Sequence, residues 1–366
     1  MRNILKLRQT LHDNAELSGN EKNTNLIIND FLNNLNYHKI IRNIGGYGIA
    51  VLFKGKNNGK RIMVRADIDG LNIKEGDRSF SHRCGHDGHT AILCGLAERF
   101  SKTPPERGEI LLLFQPAEET GQGAEAVIND PNMKGIMPDM AFALHNLPGY
   151  KENSIVTIKG CFAAASLGLK ISLDGITAHA SQPETGINPT TALYQLLDFY
   201  NDKSSYIKNL TPYSLITVTH AVLGEKTFGI APGKAEIWVT LRSFDDKCLD
   251  NLKNECIEKA QNISQNYSLH CSYSIHEYFP STKNHDMAEN IVEHAAKILN
   301  LNIINKEEPF KWSEDFGRFS SLCPTAMFGI GCGEQHLPLH NPDYCFNDNI
   351  IKTGIDLFEK TARLSL

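Results

Sequence analysis

Glu109-Ile110-Leu111-Leu112-Leu113-Phe114-Gln115-Pro116 is an aliphatic run too short for a helix and stopped by a proline. Such a run reads as a strand buried on both faces, the kind found at the centre of a parallel sheet. Residues 140–144 repeat the pattern and end at His145. Upstream, 48–53 and 61–68 read as further buried strands, and 90–100 has the apolar spacing of a helix. Two helices precede them. The second has Ser18 and Glu21 at capping-box spacing, followed by Leu26, Ile27, Phe31, Leu32 and Leu35 on one stripe. Strands alternating with helices predict an α/β fold on a parallel sheet. Glu118, Glu119 and His145 then fall just past strand ends, where open α/β sheets place their ligands.

The pattern changes near Ala163. Residues 166–173 alternate polar and apolar, the period of a half-exposed strand. Asn188-Pro189 supplies an N-cap and a first-turn proline for a helix through 192–200. Strands at 214–222 and 234–244, a helix at 246–265 and a strand at 267–276 complete a β-α-β-β-α-β order, the split βαβ of a small α+β domain. After Phe279-Pro280 the helix–strand alternation returns: Met287, Ile291, Ala295 and Ile298 form a helical stripe, 326–330 a strand and 347–364 a capped helix. The expected organisation is an α/β domain in two segments, 1–162 and 278–366, interrupted by an inserted domain at 163–277.

A length of 366 residues suits two domains better than one core. Hydrophobic content of 41% and charged content of 22% are those of a soluble globular protein. A net charge of −5 without a cationic block argues against nucleic acid and anionic membrane as partners. The basic start, Met1 to Arg8, lacks the apolar core and small-residue cleavage site of a signal peptide. Nine scattered cysteines form no regular framework, so reduced thiols in the cytoplasm are expected.

Residues His82-Arg83-Cys84-Gly85-His86-Asp87-Gly88-His89 crowd a thiol, three imidazoles and a carboxylate into one segment. A Cys and a His two residues on can reach one cation. An isolated Cys-x-His is as readily a chance pair, Glu118-Glu119 a solvated helix start, His145 a core histidine and His340 a loop histidine. Taken together they make a Cys, His, Glu, His, His set at strand ends and loops, enough for two cations sharing a hydroxide. Adjacent carboxylates repel unless a dication keeps both ionised.

Five segments in order resemble the amidohydrolase branch of the peptidase M20 family, which includes N-acyl-amino-acid, hippurate and auxin-conjugate hydrolases. They are Arg65-Ala66-Asp67-Ile68-Asp69-Gly70-Leu71, Cys84 to Thr90, Phe114 to Glu119, Leu144-His145 and Leu339-His340-Asn341-Pro342. The resemblance extends from Leu11–Ser18 to Phe346-Asn347-Asp348. It implies a zinc-peptidase-like α/β domain and an inserted lid that mediates homodimerisation. It implies Cys84, His86, Glu119, His145 and His340 as ligands of two divalent ions, zinc or manganese foremost, with cobalt or nickel also admissible. Glu118 would be the general base, Asp67 an orienting residue, and His179 of Ala178-His179-Ala180 a lid residue facing the substrate. The chain departs from the pattern at Ala15, where Pro is expected, and at Glu184, where His follows Pro183 in relatives. Gly229-Ile230-Ala231-Pro232 lacks the usual Asn, and the spacer between Leu71 and Cys84 is short.

The chemistry is coherent on the residues alone. A dication lowers the pKa of bound water to about 7, and Glu118 can take the proton during attack on an amide carbonyl and return it to the leaving amine. The expected activity is metal-dependent hydrolysis of small N-acyl amino acids. The alternatives are a dipeptidase or aminoacylase, or a binding protein that keeps the fold. A base at Glu118 speaks against the last. A closed structural zinc site would need its ligands in short loops, not spread from Cys84 to His340.

Overall fold

A computed structural model describes residues 2–207 and 212–366 of the chain. It divides into two compact units. The first comprises Met1–Phe162, Thr282–Pro309 and Glu314–Leu366, and the second Ala163–Ser281 with Phe310–Ser313.

The first unit is built on an eight-stranded sheet ordered Lys39–Ile44, Gly48–Lys54, Arg107–Gln115, Asn57–Asp67, Met140–Pro148, Thr325–Gly333, Ile155–Thr157, Ile303–Asn305. The aliphatic run lies inside it. Arg107–Gln115 pairs parallel with Asn57–Asp67, in register Val64 to Leu112, and antiparallel with Gly48–Lys54. The sheet is therefore mixed, not uniformly parallel. Its parallel centre joins Arg107–Gln115, Asn57–Asp67, Met140–Pro148 and Thr325–Gly333. One edge is a hairpin whose first strand, Lys39–Ile44, escapes the hydrophobic pattern because it is largely exposed. Ile110, Leu112, Phe114, Val64 and Phe142 join one core with the helices. Each such side chain contributes roughly 1.5–3 kcal/mol by burial.

Several local expectations are corrected. The helix Lys22–Leu32 is not capped by Ser18 and Glu21: Ser18 donates to Asp69 Oδ2 at 2.7 Å, Glu21 accepts from the Gly19 and Ala117 N–H groups, and Glu16 instead accepts the first-turn Thr24 N–H at 2.9 Å. Its buried face is Ile28 and Leu32, while Leu26 is exposed. The helix Asp286–Ile298 buries Ala288, Val292, Ala295 and Ala296, leaving Met287 and Ile298 exposed. Small residues form the stripe because they permit close approach to the sheet.

The second unit is the β-α-β-β-α-β arrangement. Its four-stranded sheet is antiparallel throughout and ordered Ser214–Leu223, Lys234–Ser243, Ala165–Asp174, His270–Phe279. Strand burial alternates along Ala165–Asp174 and Lys234–Ser243, and the buried face packs with Leu196, Tyr200, Leu249 and Ala260 of the helices Thr190–Ile207 and Asp246–Asn266. No helix among the described residues is long and apolar enough to cross a membrane.

Candidate metal centre

The His/Cys segment does not precede a helix; it starts one. The helix runs His86–Lys102, four residues earlier than the apolar spacing indicates, because polar His86, Asp87 and His89 are themselves buried. Gly85 precedes it at φ 94, and a Cβ there would lie 2.6 Å from Asn146 Oδ1, so both conformation and space require glycine. His145 likewise is not past a strand end. It sits within Met140–Pro148, and that strand continues because Asn146 is needed inside. Asn146 Oδ1 is 2.5 Å from His89 Nε2, and its amide donates to the Tyr344 hydroxyl.

His86 and His145 each use one ring nitrogen for support and turn the other toward their neighbours. His86 Nδ1 lies 3.0 Å from the Asp69 carbonyl oxygen and 3.2 Å from Asp69 Oδ1. Its Nε2 is buried without a hydrogen-bond partner, as is Glu119 Oε1, and the two are 3.7 Å apart. His145 Nδ1 donates to the Asn146 carbonyl at 2.9 Å, which turns Nε2 toward Cys84 Sγ at 3.5 Å. Such outer bonds fix the tautomer that a cation needs. His340 Nε2 stands 3.9 Å from Glu119 Oε1, on a half-exposed side chain.

Of the groups of three whose ligand atoms lie within 4.8 Å of one another, two share Cys84: Cys84, His86, His145 and Cys84, Glu119, His340; Glu118 joins two others, one with His86 and Glu119 and one with Glu314 and Asp315. The donors are a thiol sulfur, imidazole nitrogens and a carboxylate, a set that suits zinc and its borderline neighbours. Two orphaned buried donors, His86 Nε2 and Glu119 Oε1, are the defect that a bound cation removes. The residues present therefore fit the group the fold implies.

Arg65 lies beneath, fully buried. It donates to Asp67 Oδ2 and Asp315 Oδ1 at 2.8 Å each and to Gln115 Oε1 at 2.9 Å, and lies 3.4 Å from Glu314 Oε2. Burial pushes the Asp67 carboxyl up, but His86, His89 and Arg65 outweigh it and hold Asp67 well below the usual carboxylate range. Glu118 is opposite in character. Burial raises it well above that range, and Glu314, Asp315 and Glu119 add to the rise. Burial lifts Glu119 to about 7 and Glu314 to about 8. Burial and His89 hold His145 well below the usual imidazole range, as a neutral ring. Glu118 accepts the Asp315 N–H at 3.2 Å, and Ala117 before it takes the left-handed φ of 52 that aims the two glutamates.

His179 belongs to the second unit. It ends the short strand Ala178–His179, paired with Ile230–Ala231, and its exposed ring bonds Ser181 Oγ at 2.8 Å. Glu314, Asp315, Asn146 and Tyr344 were not legible as site residues. Glu314-Asp315 repeats the paired-acid signature of Glu118-Glu119, and that is the signal that points to it.

The model of peptidase family M20/M25/M40 matches residues 63–364. The chain belongs to this family. Among its M20 relatives, the N-acetyl-L-cysteine deacetylase of Bacillus subtilis is 30% identical, over 99% of this chain and 88% of that protein. The hippurate hydrolase of Campylobacter jejuni is 28% identical, over 98% and 95%. A Bacillus subtilis structure described as a dinuclear metal binding peptidase of the M20 family superposes with a TM-score of 0.82 at 24% identity, covering 100% of this chain and 98% of that one. The architecture of the chain is thus that of an M20 hydrolase.

Proposed function

We propose that this chain is a metal-dependent amidohydrolase that cleaves the amide bond of small N-acyl amino acids. The observation that carries the reading is the pair of triads sharing Cys84, with the Glu118 carboxylate buried beside them. The names of the relatives, deacetylase and hippurate hydrolase, support the substrate class.

In this reading Cys84, His86 and His145 would hold one cation and Cys84, Glu119 and His340 the other. When bound, the cations polarise the amide carbonyl and acidify water. Asp67 holds His89 at 2.7 Å and faces His86 Nε2 at 3.7 Å, so it keeps the imidazoles in place. Glu118 takes the proton from the attacking water on a carboxylate oxygen and delivers it to the amine nitrogen as the C–N bond breaks. His179 is proposed as the hydrogen-bond donor to the developing oxyanion. Zinc or manganese is proposed as the metal, with cobalt and nickel as further candidates; of these, zinc best matches the thiolate and imidazole donors. The 163–277 insertion is proposed to act as lid and homodimer interface, and the enzyme to work in the cytoplasm.

The test is hydrolysis of N-acetyl, N-benzoyl and N-succinyl amino acids by the metal-free chain and after addition of Zn²⁺, Mn²⁺ or Co²⁺. Cation-dependent release of the free amino acid is expected. Full activity of a metal-free preparation refutes the reading.

A further inference from the structure

His340 is the donor of the two triads with the least support. It lies in a loop outside the sheet, its side chain is 51% exposed, and its backbone takes φ 64. A non-glycine residue keeps a left-handed backbone only where its surroundings over-determine it. Here the determinant is Arg83, the neighbour of Cys84. The Arg83 carbonyl accepts the His340 N–H at 2.9 Å. The Arg83 guanidinium donates to the carbonyl of Tyr344, in the same loop. One residue thus grips the loop at two points, by its backbone and by its side chain.

The guanidinium is itself fixed. Arg83 is buried, and its Nη2 lies 3.1 Å from Glu75 Oε1. Glu75 also takes His12 Nε2 at 3.1 Å, and His12 Nδ1 donates to Asp87 Oδ2 at 2.8 Å. Arg8 lies 3.4 Å from the same Asp87 oxygen. With a carboxylate on each ring nitrogen, His12 is a strut between the start of the His86 helix and the grip on the His340 loop.

We propose that Arg83 is a positioning residue that presents His340 to the cation it shares with Cys84 and Glu119, with Glu75 and His12 holding its guanidinium. This rests on the two-cation reading above. The effect is selective for a structural reason. His86 sits at a helix start and His145 within a strand, where backbone bonds hold them, and Cys84 lies in the turn that enters that helix. Among the described residues the His340 N–H bonds the Arg83 carbonyl, and its loop is held at Tyr344 by the Arg83 guanidinium and the Asn146 amide. A lysine does not substitute, because a single ammonium on a flexible stem lacks the planar fork that reaches Glu75 and the Tyr344 carbonyl together.

The test uses the full chain, stripped of metal and titrated with Co²⁺. Binding is followed by the d–d bands and the thiolate-to-cobalt charge-transfer absorption, with affinities from competition against a chelator. The parent is expected to bind two equivalents. Arg83→Met and Arg83→Lys should keep the affinity of one equivalent and weaken the other by about 10–100-fold, the usual cost of removing an outer-shell partner. His340→Ala should weaken the same equivalent, and adding Arg83→Met to it should cost nothing further, as expected when two residues act as one. Equal weakening of both equivalents, no weakening, or full additivity with His340→Ala overturns the proposal. If Arg83→Met fails to fold by circular dichroism, Glu75→Gln decides by the same criteria. A parent chain that binds fewer than two equivalents refutes the two-cation reading and the clamp with it, whereas two equivalents with indifferent variants overturns the clamp alone.

Discussion

Replacing Glu118 by glutamine separates proton transfer from metal binding and from folding. Glutamine keeps the shape of a side chain that is 4% exposed, and its Oε1 still accepts the Asp315 N–H. What is lost is the proton acceptor. Removal of a positioned general base costs about 10²–10⁴-fold in kcat, or about 3–5 kcal/mol of barrier. Stability should move the other way. In the metal-free fold, burial and then Glu314, Asp315 and Glu119 raise the proton affinity of Glu118 above its unfolded value. A group shifted in that direction contributes stability that is fully present below its unfolded pKa and is lost as pH rises through its raised folded pKa. Glutamine does not titrate. Between about pH 5 and pH 8 the thermal midpoint of metal-free Glu118→Gln should therefore fall less than that of the parent. Glu119→Gln is the contrast. Glu119 Oε1 is the orphaned oxygen facing His86 and His340, so its loss should release one cation. Elemental analysis, steady-state turnover and thermal unfolding read the three effects separately. Turnover of Glu118→Gln at the parent rate would refute its role as base. Loss of metal equal to that of Glu119→Gln would make Glu118 a ligand instead.

Glu21, whose carboxylate takes the Ala117 N–H, is lifted by burial to about 7 from an ordinary 4.5. Glu21→Gln should gain stability relative to the parent as pH rises from about 4.5 to about 7, by up to about 3.4 kcal/mol at about 1.36 kcal/mol per pK unit, measured by denaturant unfolding at several pH values. Gly88→Ala would place a Cβ 2.2 Å from the buried Phe346 ring; it should destabilise by about 1–3 kcal/mol, and Phe346→Leu should restore part of the loss in the double variant. His179→Ala should leave metal content and folding unchanged while lowering kcat/KM by about 10²–10³-fold; a fully active variant would leave His179 with only its bond to Ser181.

Hydrophobic period was enough to determine the elements that bury a continuous face. The run ending at Gln115, the strand from Met140 and the β-α-β-β-α-β insertion were all legible, because side chains two or three to four residues apart meet the same environment whatever the rest of the chain does. The His/Cys cluster and the paired glutamates were legible as chemistry, since few other uses explain so many donors in so few residues. Tertiary structure decided the rest. Lys39–Ile44 is a strand because Gly48–Lys54 offers it an edge, not because it is apolar. Ser18 leaves its predicted cap for Asp69, since a buried carboxylate gains more from a hydroxyl than an exposed helix end does. His145 sits inside its strand, and the helix begins at His86, because polar side chains there find buried partners that only the folded chain supplies. Glu314 and Asp315 reach Arg65 from 249 and 250 residues away, and Arg83 reaches Tyr344 across 261. Contacts at that separation depend on how the chain closes on itself, and no local period records them.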